Sequence, residues 1–251
     1  NPGIGGSDTL SSGTGKAILF GGAAGDFLYG NVSDDILIGD DGQVSFDNGV
    51  LTRFASLGSV GGSDAIVAGG GNNFVIGGAG GDTITALGGS DTALGDNGSV
   101  DYTAAGVITQ AQSQDSGTGG DDSIDAGEGD NIIVGGFGAD TLTSGAGNDK
   151  LIGDNGFITY TAGIVAQFSS SDTSATTGGI DSITAGDGDN LILGGLAGDT
   201  ISAGVGNDFV IGDNGEANYD AAGVITAVTT TQISLGGDDT INAGGGDNII
   251  L

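Results

Sequence analysis

Apolar residues recur every nine positions along most of this 251-residue chain. The series Ile124, Ile133, Leu142 and Leu151 is the clearest, and each member lies in a short run between glycine-rich segments. Such runs predict short strands joined by tight turns. Two strands and their turns make an 18-residue coil, so alternate strands fall on opposite faces, about 4.8 Å apart along the axis. The pattern predicts an all-β fold, a narrow parallel β-roll (a β-solenoid).

The two faces of this roll differ in polarity. Strands such as Asp-Thr-Leu-Thr at 140–143 and Asp-Ser-Ile-Thr at 181–184 carry hydroxyl groups on one side. Strands such as Asn-Ile-Ile-Val at 131–134 and Asn-Leu-Ile-Leu at 190–193 are apolar on both sides. Because strands that are apolar on both sides are typical of sheets covered on both faces, we expect a further layer to pack there.

A longer repeat is superimposed on the nonapeptide. The turn Gly-Asp-(Asp/Asn)-Gly begins at Gly39, Gly95, Gly153 and Gly212, at intervals of 56, 58 and 59 residues. It predicts units at 3–60 (degenerate), 61–118, 119–177 and 178–235, with a fifth starting at 236–251. After each turn an insert has two β-rich runs around a glycine, as at 44–46 and 50–52. The insert predicts a β-hairpin; a third coil of the roll is the alternative, since 58 residues are close to three times 18.

The segments between strands have their own chemistry. The stretch 135–152 reads Gly-Gly-Phe-Gly-Ala-Asp-Thr-Leu-Thr and then Ser-Gly-Ala-Gly-Asn-Asp-Lys-Leu-Ile. Glycine permits the positive φ of a tight turn, and the Asp adds an oxygen ligand for a hard cation where carbonyl oxygens also converge. The pattern Gly-Gly-x-Gly-x-Asp-x-apolar-x is the calcium-binding β-helix repeat. Apart from the inserts, the chain therefore resembles the RTX (haemolysin-type calcium-binding) family, in a long-repeat array like those of giant secreted adhesins.

The resemblance implies several calcium ions between stacked turns, held by carbonyl oxygens and by the Asp at the sixth nonapeptide position. The matching aspartates are Asp8, Asp26, Asp35, Asp64, Asp82, Asp91, Asp122, Asp140, Asp149, Asp181, Asp199, Asp208 and Asp239. The punctuation turns add Asp40, Asp96, Asp154 and Asp213, which are expected to close the stack. Turns two nonapeptides apart share an edge, so Asp122 is expected beside Asp140. The alternative is that these aspartates only cap turns.

The second nonapeptide of each unit departs from this pattern. Its sixth position is Ala17, Asn73, Asn131, Asn190 or Asn248. Asn keeps an oxygen ligand but loses the charge, so the four asparagines are weaker metal candidates; a ladder that merely satisfies backbone groups is an equal alternative. Asp130, Asp189 and Asp247, one residue earlier, would compensate in part. No ion is expected at Ala17, beside Lys16.

Composition narrows the function. Acidic residues number 33 and basic residues three, for a net charge of -30, which excludes nucleic acid and anionic lipid as partners. No apolar run is long enough for membrane insertion.

The charge also bears on folding. Without cations, repulsion between the acidic side chains should hold much of the chain open. Acidification to about pH 4 is expected to release calcium and unfold the roll, because the ligands must be deprotonated to bind. The chain has no His, Cys or Trp, so no enzyme is expected.

These features predict a structural role. We expect a calcium-binding segment of a large secreted bacterial surface or adhesin protein, contacting neighbouring repeats of the same chain and folding after export into millimolar calcium. The chain starts at Asn1 and stops within a repeat, which indicates part of a longer protein. The resemblance also implies type I secretion. Two alternatives stay open: a subunit of a self-assembling extracellular filament or surface layer, such as a biofilm fibre, and the calcium-binding tail of a secreted enzyme or toxin.

Overall fold

The computed structural model describes residues 5–58, 60–114 and 117–251; positions 3–4, 59 and 115–116 of the first two predicted units lie outside it. Within these ranges all helices and strands assigned are β-strands, and no helix long and apolar enough to cross a membrane is found there. In chain order the strands are β1 (Thr9–Ser11), β2 (Ile18–Phe20), β3 (Phe27–Asn31), β4 (Ile36–Ile38), β5 (Gly42–Asp47), β6 (Val50–Ser56), β7 (Ala65–Gly70), β8 (Phe74–Gly78), β9 (Thr83–Gly88), β10 (Thr92–Asp96), β11 (Gly98–Tyr102), β12 (Ile108–Ser113), β13 (Ser123–Asp125), β14 (Ile132–Val134), β15 (Thr141–Thr143), β16 (Lys150–Ile152), β17 (Gly156–Thr161), β18 (Ile164–Ser170), β19 (Ser182–Thr184), β20 (Leu191–Leu193), β21 (Thr200–Ser202), β22 (Phe209–Ile211), β23 (Gly215–Tyr219), β24 (Ile225–Thr230), β25 (Thr240–Asn242) and β26 (Ile249–Ile250).

In the described ranges the strands form three sheets. The outer sheet is parallel, with the order β1-β3-β7-β9-β13-β15-β19-β21-β25. The middle sheet is also parallel, with the order β2-β4-β8-β10-β14-β16-β20-β22-β26. The hairpin sheet is antiparallel, with the order β24-β23-β18-β17-β12-β11-β6-β5. The predicted all-β parallel roll is therefore confirmed.

The nine-residue apolar series forms the first core, between the outer and middle sheets. Ile124, Ile133, Leu142 and Leu151 are buried there. The register carries straight across an insert, since Ile84 in β9 pairs with Ile124 in β13. Each strand thus adds one large apolar side chain to this core, so the core remains thin.

The second core lies between the middle sheet and the hairpin sheet. The middle strands also carry apolar residues on the side that points away from the first core, for example Val134 and Ile152. These residues pack against Phe168 and Ile158 of a hairpin. The expected covering layer is therefore the insert itself. A third coil is wrong for these inserts, because β17 and β18 pair antiparallel from Gly156↔Ser170 to Thr161↔Ile164.

Successive hairpins join into one continuous sheet. Strand β12 of one hairpin pairs with β17 of the next, with Gln110 opposite Thr159. A serine fixes each junction: the Gly156 main-chain N–H donates to Ser113 Oγ at 2.8 Å, and the same bond links Gly98 to Ser56 and Gly215 to Ser170. This layer therefore carries repeat-to-repeat contacts of its own, independent of the glycine-rich turns.

Candidate functional site: the stacked turns

The turns of the roll stack along two edges that differ chemically. At the edge where the chain passes from the middle to the outer sheet, the sixth turn position is Asp in every coil from Asp26 to Asp239; we call this the aspartate edge. At the opposite edge Asp alternates with Asn from Asp35 to Asn248, and we call this the mixed edge. The hairpins also leave the roll at the aspartate edge, just after the punctuation turns.

One carboxylate oxygen of each aspartate-edge residue is used in a ladder. The main-chain N–H of Asp122 donates to Asp140 Oδ1 at 2.8 Å, that of Asp140 to Asp181 Oδ1 at 2.8 Å, and that of Asp181 to Asp199 Oδ1 at 2.8 Å. The ladder begins at Asp8, whose N–H donates to Asp26 Oδ1. Asp122 therefore does lie beside Asp140, in the next coil.

The second oxygen has no such partner. Within the described part of the chain, Oδ2 is buried and makes no hydrogen bond in the following residues: Asp26, Asp64, Asp82, Asp91, Asp122, Asp140, Asp149, Asp181, Asp199 and Asp208. Leaving a buried charged acceptor without a partner is costly, because it loses its hydration and gains nothing in return. A repeated unpartnered oxygen of this kind indicates that something electropositive belongs beside it.

Glycine leaves room at the same place. A β-carbon on Gly135 would lie 2.1 Å from the carbonyl oxygen of Gly153 and 2.3 Å from Asp140 Oδ2. The corresponding position on Gly77 lies 2.1 Å from the Gly95 carbonyl oxygen and 2.4 Å from Asp82 Oδ2. Oxygens from two successive coils thus face the side of the glycine where a side chain would stand. Hard oxygen donors in this arrangement are the ligand type that calcium takes.

Burial makes these carboxylates poor anions in the absence of a cation. Desolvation is the main cause that raises the pKa of Asp122 and Asp181 to about 10, and of Asp82 to about 9. Neighbouring carboxylates add to the effect, Asp96 for Asp122 and Asp154 for Asp181. A bound divalent cation would reverse this balance, because its charge favours the ionised form. No three acidic side chains converge on a metal position in the described ranges, so a cation here would draw on fewer than three carboxylates together with carbonyl oxygens.

The punctuation aspartates are placed differently, with their oxygens engaged by main-chain N–H groups. Asp40 accepts from Gly62 at 3.2 Å through Oδ1 and from Ala79 at 2.5 Å through Oδ2. The equivalent donors are Gly120 and Phe137 for Asp96, Gly179 and Leu196 for Asp154, and Gly237 for Asp213. Each therefore ties the chain that returns from a hairpin to the roll. A metal role for these four residues stays a prediction.

At the mixed edge the asparagine amide occupies the turn. Asn131 Nδ2 donates to the carbonyl oxygens of Gly127 at 3.1 Å and Gly129 at 2.9 Å. Asn190 does the same with its own turn, and Asn73 and Asn248 each donate to one turn carbonyl. The first turn residue is also larger here: Ala68, Ala86, Ala126, Ala185 and Ala203 send their methyl groups into the first core. The amide thus occupies carbonyl oxygens that a cation would need. This favours the alternative in which the asparagines satisfy main-chain groups and bind no metal.

The remaining predicted residues at this edge fall into two groups. Asp35 Oδ2 accepts from the Asn31 main chain at 3.0 Å, whereas Oδ2 of Asp91, Asp149 and Asp208 is without a partner in the described chain. The preceding aspartates, such as Asp130 and Asp189, accept main-chain N–H groups on the exposed side of the turn and so do not substitute for the sixth position. Asp247 is likewise exposed and donates its own N–H to Asn207.

Comparison with known proteins agrees with this chemistry. A family model for the RTX calcium-binding nonapeptide repeat matches residues 11–43, 60–99, 116–151, 168–201, 184–216 and 234–251. The chain belongs to the RTX family. It is thus an RTX calcium-binding repeat region, and repeats of this family are structural and occur in secreted proteins. No curated protein matches the chain significantly.

Sequence reasoning left the mixed-edge asparagines open between weak metal ligands and a ladder that satisfies backbone groups; the Ala at position one beside the Asn at position six marks the turns that the amide fills. It missed a buried network after the hairpin of the third unit, where Asp172 accepts from Asn155 N at 3.0 Å and from Thr177 Oγ1 at 2.6 Å. No repeat-wide signal marks Asp172, because the residue does not recur in every unit.

Proposed function

We propose that this RTX segment is a calcium-folded spacer in a large secreted bacterial surface or adhesin protein. The observation that carries the proposal is the row of buried, unpartnered Oδ2 atoms along the aspartate edge. Asp82, Asp122, Asp140, Asp181 and Asp199 are the residues that we expect to hold the ions, together with the glycine carbonyls of the adjoining coils. Calcium would supply the positive charge that keeps these carboxylates ionised inside the roll.

Coupling of folding to calcium follows from the charge. The net charge of -30 opposes compaction, and binding energy becomes folding energy when the site exists only in the folded state. Extracellular calcium modules bind in the range of about 10⁻⁴ to 10⁻³ M. The segment would therefore stay open in the low calcium of the cell interior and fold outside.

The architecture supports a spacer. In the described part of the chain each parallel sheet has nine stacked strands, which at about 4.8 Å each give a rod about 40 Å long. Additional units would lengthen the rod without changing its cross-section. The strands of the middle sheet are apolar on both sides, and the hairpin sheet covers the side that points away from the first core. That cover removes the main reason for lateral assembly through this face, so a spacer is favoured over a laterally packed filament.

Small-angle X-ray scattering during calcium titration tests the proposal. We expect a chelator-treated chain with unfolded dimensions to become a compact rod as calcium is added, while magnesium at the same concentrations has little effect, because magnesium sheds its waters reluctantly. A rod of unchanged dimensions in chelator would contradict calcium-driven folding. Particles that lengthen with protein concentration would favour the filament alternative.

A further inference from the structure

Two cavities lie where the hairpin tips meet the mixed edge. One has a volume of about 470 Å³ and the other of about 640 Å³. The first is lined by Asn148, Asp189, Asn207, Lys150, Phe209 and Tyr219 among others. The second is lined by Asp34, Asn72, Ser90, Thr92, Phe74 and Tyr102 among others. Each cavity also includes a metal candidate of the mixed edge, Asp149 in the first and Asp35 in the second, whereas the aspartate edge lies on the other side of the roll.

The two cavities are one repeating site. The turn residues Asn148, Asp189 and Asn207 hold the same places in the long repeat as Asp34, Asn72 and Ser90, two units earlier. Tyr219 and Tyr102 likewise share one hairpin position. The sites are four strands apart in the middle sheet, or about 19 Å. A site that recurs along the roll suits a ligand that is itself a repeating polymer.

One wall is polar, with uncommitted hydrogen-bonding groups. Asn148 Oδ1 accepts the Asp189 N–H at 2.9 Å, and Asp189 Oδ1 accepts the Asn207 N–H at 2.8 Å. Asn148 Nδ2 and Asp189 Oδ2 make no hydrogen bond to the described residues and lie on exposed positions. This wall therefore offers both donors and acceptors to a ligand while its other atoms hold the turn.

The cavities are also lined by aromatic residues. Tyr219 and Phe209 pack on the second core and line the first cavity with their rings. Burial raises the pKa of Tyr219, so its hydroxyl stays neutral. Flat apolar rings facing polar side chains bind ligands that have one apolar face and several hydroxyl groups.

Lys150 also lines the first cavity. Its partners in the neighbouring coils are Ile132 and Leu191, so the ammonium group replaces an apolar residue in this row. Within the described ranges it forms no ion pair, whereas Lys16 of the second cavity pairs with Asp34 at 2.5 Å. The Lys150 ammonium therefore has hydrogen-bond donors to offer a ligand.

We propose that these cavities bind a neutral polysaccharide, with sugar rings against the tyrosines and hydroxyl groups on the amide, carboxylate and lysine groups. An anionic polymer is disfavoured by the charge of -30. A basic peptide is disfavoured in the first cavity by the Lys150 ammonium group. The proposal needs only the folded roll and does not depend on ions at the aspartate edge.

Isothermal titration of the calcium-loaded chain with maltohexaose, cellohexaose and mannohexaose tests this inference, with hexalysine and polygalacturonate as comparison ligands. We expect at least one neutral oligosaccharide to bind. Tyr102→Ala combined with Tyr219→Ala should weaken it by about tenfold, the equivalent of about 1.4 kcal/mol. Tyr29→Ala is the matched control, because Tyr29 lies exposed on the outer sheet and should leave binding unchanged.

Lys150→Leu separates binding from folding. A leucine fits the apolar row between Ile132 and Leu191, so the circular dichroism of the variant should match that of the parent while its oligosaccharide affinity falls severalfold. The proposal is overturned if no neutral oligosaccharide binds the folded chain or if hexalysine binds in their place. It is also overturned if Lys150→Leu and the double tyrosine variant bind as well as Tyr29→Ala.

Discussion

Asp140→Asn offers the sharpest test of the role of the aspartate edge. Without a cation, burial raises the pKa of Asp140 to about 7, against about 3.9 in an unfolded chain. At about pH 7.5 this difference in pKa lowers the free energy of unfolding of the calcium-free fold by about 4 kcal/mol, compared with a fold that has a neutral, non-ionisable side chain at position 140. The asparagine removes that charge, and its amide can donate to the carbonyls of Gly136 and Gly138, as Asn131 does in its own turn.

The substitution should therefore act in opposite directions in the two states. In chelator, where refolding can be driven by trimethylamine N-oxide, we expect Asp140→Asn to be more stable than the parent by about 2–4 kcal/mol. In saturating calcium, urea unfolding should show a loss of stability, because one ligand is gone. Asp47→Asn, at an exposed hairpin tip, is the charge-matched control and should change neither state. Equal destabilisation with and without calcium would refute the reasoning.

Three further predictions concern pH, the glycine position and the hairpin junction. In chelator, lowering the pH from about 8 to 5 should increase β-structure. Carboxyls such as Asp122 have a folded-state pKa of about 10, against about 3.9 in the unfolded chain, so stability falls as the pH rises between these two values and is recovered as the pH is lowered. Gly135→Ala should cost about 1–3 kcal/mol in calcium, because its methyl group would lie within 2.3 Å of two oxygens. Ser113→Ala should cost about 1–2 kcal/mol, because the Gly156 N–H loses its acceptor.

Each of these has a control and a contradicting result. Acid-induced loss of residual structure in chelator, measured by circular dichroism, would show that protons do not replace cations in the turns. Gly15→Ala has open space around its β-carbon and should be neutral; a cost similar to that of Gly135→Ala would contradict the oxygen-lined space. Ser171→Ala, exposed and beyond the end of a hairpin, should be neutral in thermal unfolding. If Ser113→Ala is also neutral, the junction bond contributes nothing.

The pH prediction revises the expectation drawn from the sequence. Deprotonated ligands alone suggested that acid would release calcium and unfold the roll. Burial raises the pKa of Asp140 and Asp199 to about 7, and these protonated carboxyls lose the charge that opposes the calcium-free fold. Acid should still release calcium, but the released chain should be more structured at low pH than at neutral pH.

Much of the fold was predictable because the repeat is short and regular. The spacing of Ile124 and Ile133 defined the first core, and the apolar outer residue Val134 required a covering layer. That the hairpins join into one sheet was not predictable. The pairing of Gln110 with Thr159 depends on the distance and direction from one hairpin to the next, and these are set by the coils of the roll that separate the two inserts. Nine-residue spacing alone carries no information about that distance and direction.

The candidate site was predictable in part. Position six of the nonapeptide identified Asp122 and Asp140, and their adjacency followed from the coil length. Which carboxylate oxygen remains without a partner depends on side-chain orientation, which a sequence pattern does not specify. The direction of the Asn131 amide, toward its own turn carbonyls, is also a three-dimensional feature.

The measurement that tests the central claim most directly is a crystal structure grown in calcium, with anomalous diffraction used to locate the ions. The account predicts calcium peaks beside Oδ2 of Asp82, Asp122, Asp140, Asp181 and Asp199, and none in the turns filled by the Asn131 and Asn190 amides. An aspartate edge without ions, or ions in those asparagine turns, would contradict it.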